Sequence, residues 1–303
     1  MPLLKVEAEK LSNNMLEAGV IEEIIDRDDL FAIFPFMRVN GKAYVYNREK
    51  TISEAPFVDP NEAITEGAAT FDEVTTTLKI IAGDVDVDKF LQTTMGDTNN
   101  QKAIQILEKA KGLARQFKRT LITGNSTSNS KQFDGLEKLC VADQVLTAGD
   151  GTTSASLTLT LLDELLDKIP LGADCLIMRG EHIRAFRTLM RAAGGNTAVD
   201  LMLEEFGRPM LTHNGVPILR NDFIPEYEVG EEDSKVKCAN IYAARFNEVN
   251  GVHGIYGGDN AGIVVEEIGT VQNKDATRTR VKWYVGTALK ATHALAMLKN
   301  VAI

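Results

Sequence analysis

Cysteine is scarce in this 303-residue chain: Cys140, Cys175 and Cys238 lie far apart, are odd in number and show no CxxC spacing. That excludes a disulfide framework, and the three read as reduced, buried small hydrophobes of an intracellular protein. Long apolar runs are missing too. No stretch approaches the ~18 residues of a membrane span, and the start, MPLLKVEAEK, has no signal-peptide core. The expectation is a chain made in a cytoplasm, with no membrane partner. Positive charge is also short: 33 Lys and Arg face 43 Asp and Glu, a net charge of -10. A generic nucleic-acid-coating protein carries the opposite balance.

What is present is an ordinary folded composition, 44% hydrophobic and 25% charged, long enough for about two domains and a sizeable core. One stretch organises it. From Thr98 to Thr123, Ala103, Leu107, Ala110, Ala114, Phe117 and Leu121 recur at steps of four and three, which places them on one helical face. Thr98 and Gln101 form a capping-box pattern, Lys118 and Arg119 suit the negative end of the helix dipole, and Gly124 suits a left-handed stop. Such a helix is roughly 38 Å long.

Ahead of it, residues 1–35 read as an arm. Weak helical stripes at Val6 to Leu16 and Val20 to Ile25 precede the apolar run LFAIFPF, either a packed segment or a strap onto a neighbour. Alternation then begins. FMRV and KAYVYNRE flank Asn40-Gly41, a tight-turn pair that closes a small hairpin or kinks one long strand. After a Pro-punctuated tip, TFDEVTTTLKIIAGDVDVDKF returns with Val74, Thr76, Leu78 and Ile80 on one side. Two arms of ~12 residues reach roughly 40 Å, and such a flap, marginal in water by itself, predicts another subunit to lie on. Its arms differ in charge, Arg38, Lys42, Arg48 and Lys50 against Glu62, Glu66, Asp72 and Glu73, which suits contacts between copies.

Candidate chemical sites fail on spacing. Asp84, Asp86 and Asp88 resemble the start of a calcium loop, but Lys89 stands where glycine is needed and Met95 where the final glutamate belongs. They read instead as the wet face of a strand whose dry face is Val85 and Val87. The link TAGDGTTSAS lacks the Gly-Lys-Ser/Thr of a phosphate loop. Glu181 and His182 are neighbours that do not face each other on a helix, so they read as a polar face. His213 and His253 adjoin glycine turns, with no Ser or Cys nucleophile sharing a motif. The expectation is no catalytic, cofactor-binding or metal-binding residue, and no enzyme. Beyond the link, LTLLDELLDKIP and EHIRAFRTLMRAAGG are helical, ADCLIMR is a buried strand, and Val281, Trp283 and Val285 oppose Lys282 and Tyr284. ATHALAMLKNVAI is apolar to the end, so the terminus docks in a core.

The order of arm, long hairpin, spine helix, polar loop with FDGL, α/β block and closing hairpin resembles the major capsid proteins of tailed bacteriophages. The carrying stretches are EGAATFDEVTTTLKIIAGDVDVDKFL, LITGNSTSNSKQFDGLEKL, DCLIMRGEHIRAFRTLM, GRPMLTHNGVPILRNDFIP and the closing VVEEIGTVQNKDATRTRVKWYVGTALKATHALAMLKN. The likeness covers essentially the whole chain and lies in the order of patterns. It implies an α+β chain of the Hong Kong 97-type capsid fold. Residues 1–35 are then the N-terminal arm and 36–82 the extended β-hairpin loop. Residues 83–141 and 262–286 are the peripheral domain with the spine helix, and 142–261 and 287–303 the axial α/β domain. The implied role is structural: hexamers and pentamers of a virion's icosahedral shell, made in a host bacterial cytoplasm, enclosing double-stranded DNA without sequence-specific binding. A separate scaffolding protein, a portal and decoration proteins are the further partners it implies. Lys42 and Lys50 do not match a covalent linking pattern. An encapsulin-type compartment shell shares the fold, and a soluble α/β enzyme is the alternative of another class.

Overall fold

Seven aromatic rings are concentrated at one point. Phe31, Phe34, Phe36, Phe117, Phe133, Phe246 and Trp283 form a contiguous cluster, with Phe117 and Trp283 only 4.8 Å apart between ring centroids. Phe117 belongs to helix α2 (Gln101–Thr123) and Trp283 to strand β14 (Ala276–Leu289), so this cluster is where the long helix meets its sheet. The structure is a computed structural model that describes residues 29–51, 55, 57–60, 63, 66–89, 101–150, 153–192, 200–202, 209–230, 235–258 and 262–303.

The long helix has the expected inward stripe. Its most buried side chains are Ile106, Ala110, Leu113, Phe117, Leu121 and Ile122, with Leu107 half-buried at the flank. Thr98 lies outside the described residues, and with it the capping box. Gly124 ends the helix for a reason other than a left-handed φ. A Cβ there would sit 2.3 Å from the Phe133 carbonyl and 2.4 Å from that of Thr120. Gly135 is equally hemmed in, and its amide donates to the Gly124 carbonyl at 2.9 Å. The pair lets the polar loop 125–134 close against the helix end, with Asn125, Asn129 and Asp134 accepting loop amides. Short helix α3 (Leu136–Leu139) follows.

The sheet beneath α2 has five strands. Strand β14 is its axis. It pairs antiparallel with β4 (Lys79–Asp88) on one side, and with β12 (Val252–Tyr256) and β13 (Val264–Thr270) on the other. Strand β1 (Phe36–Arg38) adds in parallel to β12. Val281, Trp283 and Val285 are buried beneath the helix, as their alternation predicts. The apolar run before β1 becomes helix α1 (Asp29–Ile33), and Leu30, Phe31 and Phe34 pack into this chain's own core. The stripes expected at Val6 to Ile25 lie outside the described residues.

The second sheet has eight strands, ordered β5-β15-β11-β6-β9-β8-β7, with β10 also on β11. These are β5 (Val145–Thr147), β6 (Cys175–Met178), β7 (Asp200–Met202), β8 (Pro209–His213), β9 (Val216–Arg220), β10 (Glu226–Val229), β11 (Val236–Ala244) and β15 (Leu295–Ala302). Both faces of its centre are buried, so its middle strands read as nearly continuous apolar runs. Ile177, Ala239, Tyr242 and Met297 face the core shared with α2. Leu176, Ile241, Ala243 and Leu298 face helices α4 (Leu159–Asp167) and α5 (Gly180–Ala192). The apolar C-terminus is β15, docked at the centre as expected. Thr158 caps α4 by accepting from Leu161 N at 3.2 Å. Among the described residues no helix is long and apolar enough to cross a membrane.

Candidate assembly surfaces

One pair of strands stands outside both sheets. β2 (Ala43–Thr51) and β3 (Thr70–Thr77) form a two-stranded antiparallel ribbon, shorter than the ~12 residues per arm expected. Asn40-Gly41 makes no hairpin of its own. Gly41, at φ 113°, bends the chain out of the β1–β12 pairing and into the ribbon. At the other end β3 passes into β4, and the alternation slips at Leu78, whose amide still donates to Lys42 O at 3.0 Å. Val74 and Thr76 therefore face inward while Ile80, expected with them, is 68% exposed. Sequence periodicity alone carries no sign of a parity slip.

The ribbon's register sorts its side chains. Tyr44, Tyr46 and Arg48 oppose Thr76, Val74 and Asp72 on the face turned to the body. There Tyr46 Oη donates to Leu289 O at 2.7 Å, Arg48 Nη2 to the same carbonyl at 2.6 Å, and Arg48 Nε to Lys290 O at 2.9 Å. Arg48, counted in the sequence among charges offered to a neighbour, is used at home. The opposite face carries Val45 and Phe71, both more than half exposed, beside exposed Glu49 and Glu73. At the tip Phe57 is fully exposed.

A second surface is the outer face of the five-stranded sheet. Asp84 and Asp86 are its wet residues, as expected, but Arg280 and Arg278 grip them through paired hydrogen bonds of 2.7–2.9 Å and 2.7 Å. Those guanidinium contacts hold both carboxyls below the usual carboxylate range. Lys282 donates to Glu266 at 2.5 Å, and Lys102 of α2 reaches Glu267. Arg278, Arg280 and Lys282 are thus locked into a cross-strand ladder. Val85 and Val87 are buried behind it.

No chemical site assembles from the remaining candidates. His182 is fully buried rather than on a polar face, because α5 turns it onto β15, where Nε2 lies 3.4 Å from Val301 O. Glu181 pairs instead with Arg179 at 3.1 Å. His213 Nε2 donates to Asp163 Oδ1 at 2.8 Å and its ring meets Phe186 edge-on. This pairing across fifty residues had no signal in the sequence. Asp150 fills its own glycine-rich turn, accepting from Thr153 N at 2.9 Å and Thr153 Oγ1 at 2.6 Å, and its charge repels phosphate. The cysteines are free thiols. Among the described residues no three His, Cys, Asp or Glu side chains are grouped to hold a metal. A cavity of about 230 Å³ lies between α1, α2 and β9, lined by Leu30, Lys118, Ile177, Leu219, Asp222 and Phe223.

No family model matches the sequence, nor does any curated protein. Solved structures do match across almost the full length. The holo-SrpI encapsulin complex from Synechococcus elongatus PCC 7942 superposes with a TM-score of 0.71 at 21% identity, covering 90% of this chain and 87% of that one. The capsid of the native GTA particle gives 0.68 at 18% identity, covering 90% of each. A structure from Mycobacterium phage Bobi gives 0.65 at 14% identity, covering 89% of each. Two sheets around one long helix, with a two-stranded ribbon set apart from both, are an α+β architecture, and this chain has the Hong Kong 97-type capsid fold.

Proposed function

We propose that this chain is a shell subunit: a major capsid protein whose copies form the hexamers and pentamers of an icosahedral shell around double-stranded DNA. The observation that carries the reading is the ribbon β2–β3. One face is bonded to its own body while the other presents Val45 and Phe71 to solvent, as a segment built to be covered by a second copy does. The likeness in fold to phage, GTA and encapsulin structures supports the same reading. Under it, residues 1–35 are the arm, 36–82 the extended loop, 83–141 with 262–286 the peripheral domain, and 142–261 with 287–303 the axial domain. The chain acts as a structural protein of the virion rather than as an enzyme. A net charge of -10 suits a wall that does not cling to packaged DNA. Scaffolding, portal and decoration proteins are its further partners, and its synthesis is in a bacterial host's cytoplasm.

The encapsulin match supports a second reading, a compartment shell enclosing protein cargo. Electron microscopy of the purified chain tests both. Closed shells or ring-shaped capsomers are expected, and a small discrete oligomer under every assembly condition would overturn both readings. Shells purified from the native source then separate them: DNA inside supports the capsid, a co-purifying enzyme the compartment. Deleting Ser53 to Gly67, the ribbon tip, is expected to leave folded subunits that no longer close into shells, whereas normal shells would refute the covering role.

A further inference from the structure

His253 lies under the root of the ribbon. It sits on β12 opposite Ala288 of β14 and is fully buried. Neither ring nitrogen makes a hydrogen bond of good geometry, and the nearby Gly251 carbonyl offers the ring only weak support, so the imidazole is a buried polar group poorly satisfied. The ribbon covers it directly, for the Tyr44 ring meets it edge-on at 6.1 Å between centroids. Lys290 stands over that same tyrosine, 5.6 Å from its ring centroid. The charged groups at the root are Lys290, which follows β14, Arg48 of β2 and, opposite Arg48 on the same body-facing side, Asp72 of β3; the titratable aromatics are Tyr44 and Tyr46 of β2. The apolar residues of the small core beside it are Val39, Ile255 and Ala288, with Met37, Tyr44, Tyr46 and Leu78 packed against them. A proton on His253 would therefore place a buried positive charge beside that of Lys290.

We propose that His253, together with the bonds of Tyr46 and Arg48 to the Leu289 and Lys290 carbonyls, forms an acid-released latch on the ribbon. A neutral imidazole lets Tyr44 close over it, which sets Tyr46 and Arg48 against the end of β14. A protonated one favours the state in which the root lifts and water reaches the ring. The latch stands on this chain's own contacts and needs no neighbouring copy, so it can fail without touching the shell reading.

Burial first, and the charge of Lys290 second, push His253 down to about 4 from an ordinary 6.5. The closed root thus binds fewer protons than the lifted one. It keeps its full advantage above about pH 6.5 and loses it as pH falls towards about 4. Opening at pH 5 is then about 30-fold greater than at pH 7.5. The Asp84 and Asp86 carboxyls, held below the usual range by their arginines, remain ionised there, so the ladder stays intact.

Hydrogen exchange of the full chain, followed at the amides of Ala43 to Thr51 and corrected for intrinsic rate, tests the latch. The expected result is that ~30-fold rise in opening between pH 7.5 and pH 5, and its near-absence in His253→Phe. A flat wild type, or the same rise in His253→Phe, would overturn the proposal. If the phenylalanine variant does not fold, His253→Gln, which cannot titrate, carries the same expectation. Arg48→Lys tests the other half. Losing its two-pronged contact is expected to raise exchange of β2 at least about tenfold at pH 7.5, and unchanged exchange would refute the latch.

Discussion

At the scale of residues, burial decides chemistry that the side chain alone leaves open. Cys140 is half-buried beside β15, and desolvation pushes its thiol up to about 11 from an ordinary 9.0. Cys175, fully buried, is raised further by desolvation and by the nearby Asp174 charge, and Cys238 is raised by burial. The thiolate is the reactive form, so at pH 8 only about one Cys140 in a thousand is competent. Iodoacetamide at pH 8 is therefore expected to leave all three unlabelled in the folded chain and to label all three in guanidinium. Rapid labelling of Cys140 in the folded state would show that it is not shielded. The sequence already suggested small apolar cysteines from their odd number and wide spacing. It could not suggest the His213–Asp163 bond or the burial of His182, because both depend on which helix face meets which strand.

At the scale of elements, legibility followed periodicity. The stripe of α2, the buried face of β14 and the apolar β15 could each be read along the chain, because one partner surface fixed each pattern. Reading failed where a strand changes partners. β3 and β4 are continuous in sequence yet pair with β2 and β14 respectively, and the slip at Leu78 turns Ile80 outward. Gly124 was legible as a stop but not as a point of close approach, since the crowding carbonyl belongs to Phe133, nine residues on. The helix also contains a glycine that nothing in its surroundings requires. Gly112 lies on the exposed side of α2, and a Cβ there would meet nothing within 4 Å. Gly112→Ala is expected to stabilise the chain by about 0.5–1 kcal/mol, since alanine loses less backbone freedom in a helix interior. Urea unfolding measures it. A loss of stability would mean that this face of the helix is already occupied by another surface, as in an assembled copy.

At the scale of the whole molecule, the question is which charges remain for a neighbour once the chain has used its own. The ladder on β4, β13 and β14 is satisfied internally, Lys111 pairs with Glu108 at 3.1 Å, and Arg48 serves the ribbon root. What is left on α2 is Arg115 and Arg119, both exposed and without an ion pair among the described residues. On the outer ribbon face Glu49 and Glu73 are left in the same condition. In register the outer face runs Val45–Thr75, Asn47–Glu73 and Glu49–Phe71, so the acids are interleaved with the apolar residues and a covering copy that matched them would bring cations beside its own apolar contacts. On the shell reading, Arg115→Glu is expected to lower shell yield several-fold without lowering the unfolding midpoint of the subunit, since the position is exposed. Glu73→Lys alone is expected to do the same, and the double variant to recover most of the yield, because the two reversals restore opposite charges across the contact. Raising salt from 0.05 M to 0.5 M shortens the screening length about threefold and should weaken wild-type assembly in the same direction. Shell yield that is indifferent to both single reversals would place the ribbon on some other part of its neighbour. Two defective singles with no recovery in the double would mean that each charge meets a different partner.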